Sequence, residues 1–101
     1  MFKVGDVLVS RWGYGMTIIY FYKVVKISKT NCWLQRMEGK IVEAIDEGFS
    51  GRVIAGEIKK DSKPFMRKLK AYIDGEDYVK ISSYERAIKW DGKPKYFNEL
   101  D

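Results

Sequence analysis

Basic side chains interleaved with tyrosines form the pattern in this sequence that points most directly to a binding chemistry. The stretch from Lys59 to Lys70 holds six basic residues and one acidic residue, Asp61. A positive surface of this kind concentrates polyanions, and tyrosine rings beside it can stack on unpaired bases. The predicted nucleic-acid-binding residues are Lys59, Lys60, Lys63, Arg67, Lys68, Lys70, Tyr72, Tyr78 and Lys80.

Two alternating segments in the second half of the chain predict a hairpin that gathers several of these residues on one face. The register that puts the apolar side chains on the core face pairs Leu69 with Ile81 and Ala71 with Val79, with a loop at residues 74–76. Lys70 then opposes Lys80, and Tyr72 opposes Tyr78. Directly opposed like charges are unfavourable unless something compensates them. A phosphate backbone could do so, and so could the carboxylates beside the loop.

The loop Trp12-Gly13-Tyr14-Gly15 is a second candidate site. Glycine permits positive φ and close backbone approach, so the loop could present Trp12 and Tyr14 to a protein partner as a binding tip. A tryptophan at a strand end can instead plug the mouth of a small barrel. We expect Trp12 to act as a plug and Tyr14 to lie on the surface, and the residues alone leave both roles of the loop open.

The composition argues against catalysis. The chain has no histidine and a single cysteine, Cys32, which excludes Ser-His and Cys-His catalysis, imidazole-bound zinc and thiolate clusters. The acidic groups within residues 43–47 and 74–77 lack the spacing of a calcium loop. No nucleotide-binding glycine motif or nucleophile elbow is present. We therefore expect a protein that is not an enzyme, with no catalytic residue, no metal site and no cofactor.

The elements that would position these residues are short strands. A chain of 101 residues suits one domain with one modest core. The predicted strands cover residues 7–12, 18–27, 32–37, 41–45, 52–58, 68–73 and 78–81, and the connections at 13–15, 28–31 and 38–40 are typical of an antiparallel meander. We expect a mostly β single domain over residues 1–101, as a small antiparallel SH3-like or OB-like barrel. A strongly twisted open sheet is the alternative.

Local signals refine this picture. The run at residues 18–25 is apolar on both strand faces and predicts a central strand, and Cys32 should be buried. The S-x-x-E spacing from Ser82 to Glu85 predicts a short helix from Ser83 to about Ile88. The turn at residues 91–94 should lead into a tail, with the last few residues flexible. No apolar run has the length of a signal peptide or a membrane-spanning helix, so we expect a cytoplasmic protein without a membrane partner.

Several short motifs also resemble a family of small proteins carried by phages, prophages and plasmids. They are WGY at 12–14, Thr17, Phe21-Tyr22 with Val24 and Lys26, YVKISSY at 78–84, and WDGKP at 90–94. The resemblance implies a mobile-element origin, a bacterial host cell and no assigned enzymatic activity.

Together these observations predict a non-enzymatic accessory protein that acts as a nucleic-acid-binding β-module. The alternative is an inhibitor of a host protein or defence complex, of anti-CRISPR or other anti-defence type, that acts by covering a surface. The expected partner is nucleic acid or a host nucleic-acid-binding protein complex. The residues do not indicate an oligomeric state.

Overall fold

The apolar runs fold into eight antiparallel strands, seen in a computed structural model that describes residues 2–71 and 77–99. The strands are β1 Val7–Trp12, β2 Ile18–Ile27, β3 Asn31–Ile45, β4 Ser50–Ile58, β5 Phe65–Ala71, β6 Asp77–Lys80, β7 Arg86–Lys89 and β8 Lys95–Asn98. A single turn of 3-10 helix, Asp46–Gly48, joins β3 to β4. The prediction of a mostly β antiparallel protein is confirmed.

The hydrogen-bonded pairing of the strands closes into a ring. The hydrogen-bonded order is β2-β1-β7-β6-β5-β3-β4-β8, and β2 also pairs with β3. Six strands, β1, β2, β3, β5, β6 and β7, therefore pair in a closed ring. β4 and β8 extend the sheet beyond β3. This extension turns back against the ring, because Thr17, immediately before β2, forms a bridge with Asn98 in β8.

Two apolar clusters lie on opposite sides of the wall that these strands form. The inner cluster consists of Phe2, Leu8, Tyr22, Val24, Cys32, Leu34, Val79 and Ala87. The outer cluster, between the ring and the β4–β8 extension, consists of Val9, Phe21, Met37, Val53 and Phe97. β2 supplies buried residues to both clusters and pairs on both of its edges. The predicted central strand and the predicted burial of Cys32 are confirmed.

The predicted turn at residues 38–40 is wrong, because β3 runs without a break from Asn31 to Ile45. The β3–β4 register shifts on either side of this point, between Met37 and Gly39 and again between Ile41 and Glu43. Gly39 permits close packing rather than a turn, since a Cβ atom there would lie 2.9 Å from Val53 Cγ2. The predicted strands 32–37 and 41–45 are two halves of one long strand.

The predicted helix from Ser83 to Ile88 is also wrong. The backbone turns after β6, where the Ile81 amide donates to the Glu85 carbonyl at 2.8 Å, and the chain then enters β7. The Glu85 carboxylate does not cap a helix, because it accepts hydrogen bonds from the hydroxyls of Ser10 and Tyr22. These partners, distant in sequence, override the local capping signal.

The chain does not enter a tail directly after residues 91–94. These residues turn as predicted, with the Lys93 amide donating to Asp91 Oδ1 at 2.9 Å. They are followed by β8, which pairs with β4 from Ser50 to Val53. Residues 100 and 101 lie outside the described part of the chain. Within that part, no helix is long and apolar enough to cross a membrane.

The predicted hairpin forms, but its register differs by two residues. Leu69 pairs with Val79, Lys70 with Tyr78 and Ala71 with Asp77. The predicted pairs of Leu69 with Ile81, Ala71 with Val79 and Lys70 with Lys80 are therefore wrong. A shift of two leaves every side chain on its predicted face. The register shift arises from the turn after β6. The Ile81 amide donates to the Glu85 carbonyl in that turn, so Ile81 does not pair with β5. The predicted partner Tyr72 and the predicted loop fall within residues 72–76, outside the described residues.

Candidate nucleic-acid interface

A row of basic side chains crosses the outer face of the ring, and its centre is a like-charged pair. Lys80 in β6 pairs directly with Arg86 in β7. On the other side of Lys80, the pairing of Leu69 with Val79 places Lys68 in β5 at the next position along the ladder. All three basic residues are exposed, whereas Val79, which precedes Lys80 in β6, is fully buried. The strand alternation thus turns the basic side chains outward.

Arg11 extends the row onto a fourth strand. Ser10 in β1 pairs with Ala87 in β7, so Arg11 and Arg86 stand next to each other at the following position. Ser10 and Ala87 are buried, and Arg11 is exposed. The basic row, as we name it, consists of Lys68, Lys80, Arg86 and Arg11. It spans roughly 14 Å, because it crosses three gaps of about 4.8 Å between neighbouring strands.

A less polar row runs beside the basic row on the same face. Tyr78 in β6 is half-buried and pairs with Lys70, while Val9 in β1 pairs with Ile88 in β7. The Arg86 guanidinium lies over the Tyr78 ring, 5.3 Å from its centroid, which is within the range of a cation–π contact. The face therefore combines cations with a partly exposed aromatic ring, Tyr78, which is the combination that single-strand binders use.

Among the described residues, no carboxylate points outward from the four strands that carry this face. The outward side chains of β5, β6, β7 and β1 in the described residues are Met66, Lys68, Lys70, Tyr78, Lys80, Arg86, Ile88, Val7, Val9 and Arg11. Glu85, next to Arg86, is 5% exposed and points into the ring. Within the described part of the chain, no member of the basic row forms an ion pair.

The predicted lysines between β4 and β5 lie elsewhere. Lys59, Lys60 and Lys63 are exposed in a loop that is fastened to β3, where the Lys59 amide donates to the Arg36 carbonyl at 2.9 Å. Gln35 Nε2 reinforces the attachment by donating to the Ser62 carbonyl at 3.0 Å. In the ring, β5 stands between β3 and β6, so the structure does not join these three lysines to the basic row.

Arg67, also a predicted binding residue, has its guanidinium engaged within the fold. Its Nε donates to the Ile81 carbonyl at 3.0 Å, and one terminal nitrogen donates to the Met66 carbonyl at 2.8 Å. The same group lies 4.8 Å from the centroid of the Phe65 ring. Arg67 therefore ties β5 to the turn after β6, while Lys68 and Lys70 extend outward.

The loop after β1 separates its two aromatic residues, as predicted. Trp12 is half-buried and packs against Tyr20 and Tyr84, with ring centroids 5.6 Å and 5.1 Å away. Its indole Nε1 is buried and has no hydrogen-bond partner among the described residues. Tyr14, in contrast, is 99% exposed. Trp12 is therefore held by neighbouring rings, whereas Tyr14 is free of such packing; the predicted role of Trp12 as a plug stays a prediction.

Beneath Trp12, the inside of the ring holds a buried polar cluster. Glu85 Oε2 accepts the Tyr22 hydroxyl at 2.6 Å and also accepts the Ser10 hydroxyl. Burial raises the pKa of Tyr22, and the hydrogen bond to Glu85 and its negative charge raise it further, while the charge of Arg36 acts in the opposite direction. Arg36 itself stacks on Tyr20, 3.6 Å from the ring centroid. The cluster connects β1, β2 and β7 across the inside of the ring.

The described residues give no basis for metal or thiol chemistry. No group of three or more histidine, cysteine, aspartate or glutamate side chains gathers there in a way that could hold a metal ion. Burial raises the pKa of the Cys32 thiol, with a partial offset from the charge of Arg67. A thiol with a raised pKa is a poor nucleophile, because the thiolate is the reactive form.

Comparison with models of known protein families, with curated proteins and with solved structures finds no match to this chain.

Two members of the basic row, Arg11 and Arg86, were missed by the sequence analysis. Arg11 could have been found, because alternation in the predicted strand 7–12 already turns it away from Leu8 and Ser10. Arg86 could not, because its segment was predicted to be helical. Its position depends on β7 pairing with both β6 and β1, and no local signal in the sequence indicates those partners.

Proposed function

We propose that this protein is a non-enzymatic module that binds nucleic acid through the basic row. The observation that carries the proposal is the direct pairing of Lys80 with Arg86 on a face whose described outward residues include no carboxylate. Directly opposed like charges destabilise a sheet by a fraction of a kcal/mol to about 1 kcal/mol. Phosphates along the row would remove that repulsion and release condensed counterions from the strand.

The proposal extends to the setting of the protein. The ring of six paired strands supports a small barrel of SH3-like or OB-like type, a shape that presents one wall to a polymer. The protein is an accessory of a mobile genetic element and acts in the cytoplasm of a bacterial host. Lys70 and Tyr78 belong to the same binding face, whereas Lys59, Lys60 and Lys63 form a separate positive surface.

Fluorescence anisotropy with labelled single-stranded and duplex oligonucleotides tests the proposal. If the four members of the basic row each meet one phosphate of a single strand, log K falls against log salt with a slope of about −2.8. Affinity then falls roughly 50-fold between about 50 mM and about 200 mM salt. The double variant Lys80→Glu with Arg86→Glu leaves at most two of these contacts, so the slope flattens to about −1.4.

The control is Lys40→Glu, which makes one Lys-to-Glu reversal, half the charge change of the double variant, at an exposed position of β3 opposite Ile54 in β4. It keeps the wild-type slope, because Lys40 is not on the basic row. Dissociation constants no tighter than millimolar at the lower salt would contradict the proposal. A double variant that binds like the wild type would show that the phosphates lie elsewhere.

A second function, inhibition of a host protein or defence complex, is favoured by the aromatic residues at one end of the ring. Tyr14 is 99% exposed and Tyr84 is 66% exposed, and the half-buried Trp12 packs against Tyr84. Exposed aromatic rings on a rigid base are typical of interface anchors. Pull-down from a bacterial lysate with wild type, Tyr14→Ala and the control Phe49→Ala, which removes a 53% exposed ring outside both proposed sites, compares the captured proteins. Identical capture by all three would remove Tyr14 from any interface.

A further inference from the structure

A groove opens at one end of the basic row, on the outer face of β1 and β7 beside β8. Its volume is about 390 Å³, within the range of small-ligand sites, which is about 300 to 1,000 Å³. Apolar side chains from three strands, Val9, Ile19 and Ile88, contribute to its lining. Arg11 and Arg86 of the basic row line the same groove. A ligand with a flat apolar part and an anionic part would match both kinds of lining.

The β8 side of the groove supplies an aromatic ring. Tyr96 pairs with Arg52 of β4 through its backbone, and its side chain is 48% exposed and lines the groove. Lys95 also lines the groove, but its Nζ donates to Asp91 Oδ2 at 2.9 Å. Arg11 and Arg86 are therefore the two groove cations that form no ion pair with a described carboxylate.

We propose that this groove holds one unpaired base of a single strand whose phosphates lie along the basic row. The proposal rests on the proposed function and adds the class of nucleic acid that the site prefers. The base would present its flat apolar face to Tyr96 and to the aliphatic side chains of the groove. The phosphate of the same nucleotide would lie against Arg11 and Arg86, which belong both to the groove and to the basic row. Stacking of this kind tolerates different bases, since every base has a π-face.

Duplex nucleic acid cannot use the groove in the same way. A base inside a duplex is stacked on its neighbours and paired with the other strand, so it must leave the helix before it can enter a recess. The basic row remains available to the phosphates of a duplex. The structure therefore predicts that single strands bind more tightly than duplexes at equal salt, although both bind with salt-dependent affinity.

Anisotropy with three probes of about 12 nucleotides tests the inference: a natural single strand, an abasic strand of equal length and phosphate count, and a duplex. Wild type should bind the natural strand about 5- to 150-fold more tightly than the abasic strand, the range expected for one stacked base. Tyr96→Ala should remove most of that preference and leave the salt slope unchanged. Tyr96→Phe keeps the ring and should keep the preference.

The outcomes separate this inference from the proposed function. Equal binding of the natural and abasic strands, with a steep salt slope for both, would overturn the inference and leave the proposed function in place. A preference for the natural strand that survives in Tyr96→Ala would also overturn it, because the base would then stack outside the groove. Absence of salt-dependent binding to every probe would overturn the proposed function, and the inference would fall with it.

Discussion

At the scale of single residues, Glu85 links buried side chains of β1 and β2 inside the ring. It is 5% exposed, and both of its hydrogen-bond donors, Ser10 and Tyr22, are themselves buried side chains on other strands. A buried carboxylate costs free energy unless donors satisfy it, and a buried hydroxyl costs free energy once its acceptor is removed. The three groups therefore hold β7 against β1 and β2 as a unit.

Glu85→Ala should lower the free energy of unfolding by about 2 to 6 kcal/mol. The variant leaves the hydroxyls of Ser10 and Tyr22 buried without their acceptor, and each such loss costs about 1 to 3 kcal/mol. Urea denaturation followed by tryptophan fluorescence measures the change. Glu57→Ala, at an exposed position of β4, is the control and should stay within about 0.5 kcal/mol of wild type. Equal stability of the two variants would show that the cluster contributes nothing.

Tyr22 makes the stability depend on alkaline pH. Burial and Glu85 raise the pKa of Tyr22 in the folded state above the value of about 10 for an unfolded chain. The unfolded state therefore loses this proton first, so the stabilising contribution is complete below about pH 10 and is lost as the pH rises further.

Urea denaturation at a series of pH values between about 9 and 11 measures this effect. Above about pH 10, the free energy of unfolding should fall by up to about 1.4 kcal/mol per pH unit more in wild type than in Tyr22→Phe. Tyr14→Phe, which removes a hydroxyl from an exposed ring, is the matched control. Parallel pH curves for wild type and Tyr22→Phe would contradict the folded-state position of the Tyr22 hydroxyl.

At the scale of elements, the sequence predicts best where alternation and burial act within one strand. β1 and β2 have the predicted bounds, because the run at 18–25 is apolar on both faces and the loop with Gly13 and Gly15 separates the two strands. The outward direction of Lys68, Lys70 and Lys80 follows from the same alternation. These features are local, and they survive the shift of the hairpin register by two residues.

Features that depend on partners distant in sequence could not be predicted. The local S-x-x-E signal predicts a helix where β7 forms. Glu85 instead accepts hydrogen bonds from hydroxyls on β1 and β2, and a local signal carries no information about such distant partners. Gly39 was expected to form a turn, although its small size serves the close approach of Val53. The basic row depends on β7 pairing with both β6 and β1, so half of it was missed.

Gly51 shows how closely β3 and β4 approach each other. Its φ is +153°, and a Cβ atom on it would lie 2.0 Å from the carbonyl oxygen of Glu43. Gly51→Ala should therefore lower the free energy of unfolding by about 1 to 3 kcal/mol, because the strand backbones must separate. Gly5→Ala is the control, since φ there is +95° but nothing lies within 4 Å of the added atom. Thermal or urea denaturation should rank Gly51→Ala as the less stable variant.

At the scale of the whole molecule, the β4–β8 extension decides which wall of the ring is available. It packs over the outer cluster around Val9, Phe21 and Met37, and so covers parts of β1, β2 and β3. The basic row begins where this cover ends, with Tyr96 and Lys95 of β8 at the side of the groove that contains Arg11 and Arg86. A carboxylate in this row would stabilise the fold by pairing with the basic side chains, and the described residues supply none there.

One substitution in the basic row, Lys80→Glu, should move stability and binding in opposite directions. Lys80→Glu replaces a like-charged pair with an attractive pair opposite Arg86, so the free energy of unfolding should rise by about 0.2 to 1 kcal/mol. Affinity for a single strand should fall, because the row loses a phosphate contact and gains a negative charge. Urea denaturation and anisotropy on the same preparations measure the two effects.

Lys80→Gln separates the two contributions, because it removes the repulsion without adding an attraction. It should lie between wild type and Lys80→Glu in both stability and affinity. Lys40→Glu, opposite the uncharged Ile54, should change neither property appreciably.

If Lys80→Glu weakened both stability and binding, the Lys80–Arg86 repulsion would not exist in the folded protein, and an anionic partner on this face would no longer be supported. A rise in stability together with a loss of affinity would tie the like-charged pair to binding, because a site built to hold an anion sacrifices stability when the anion is absent.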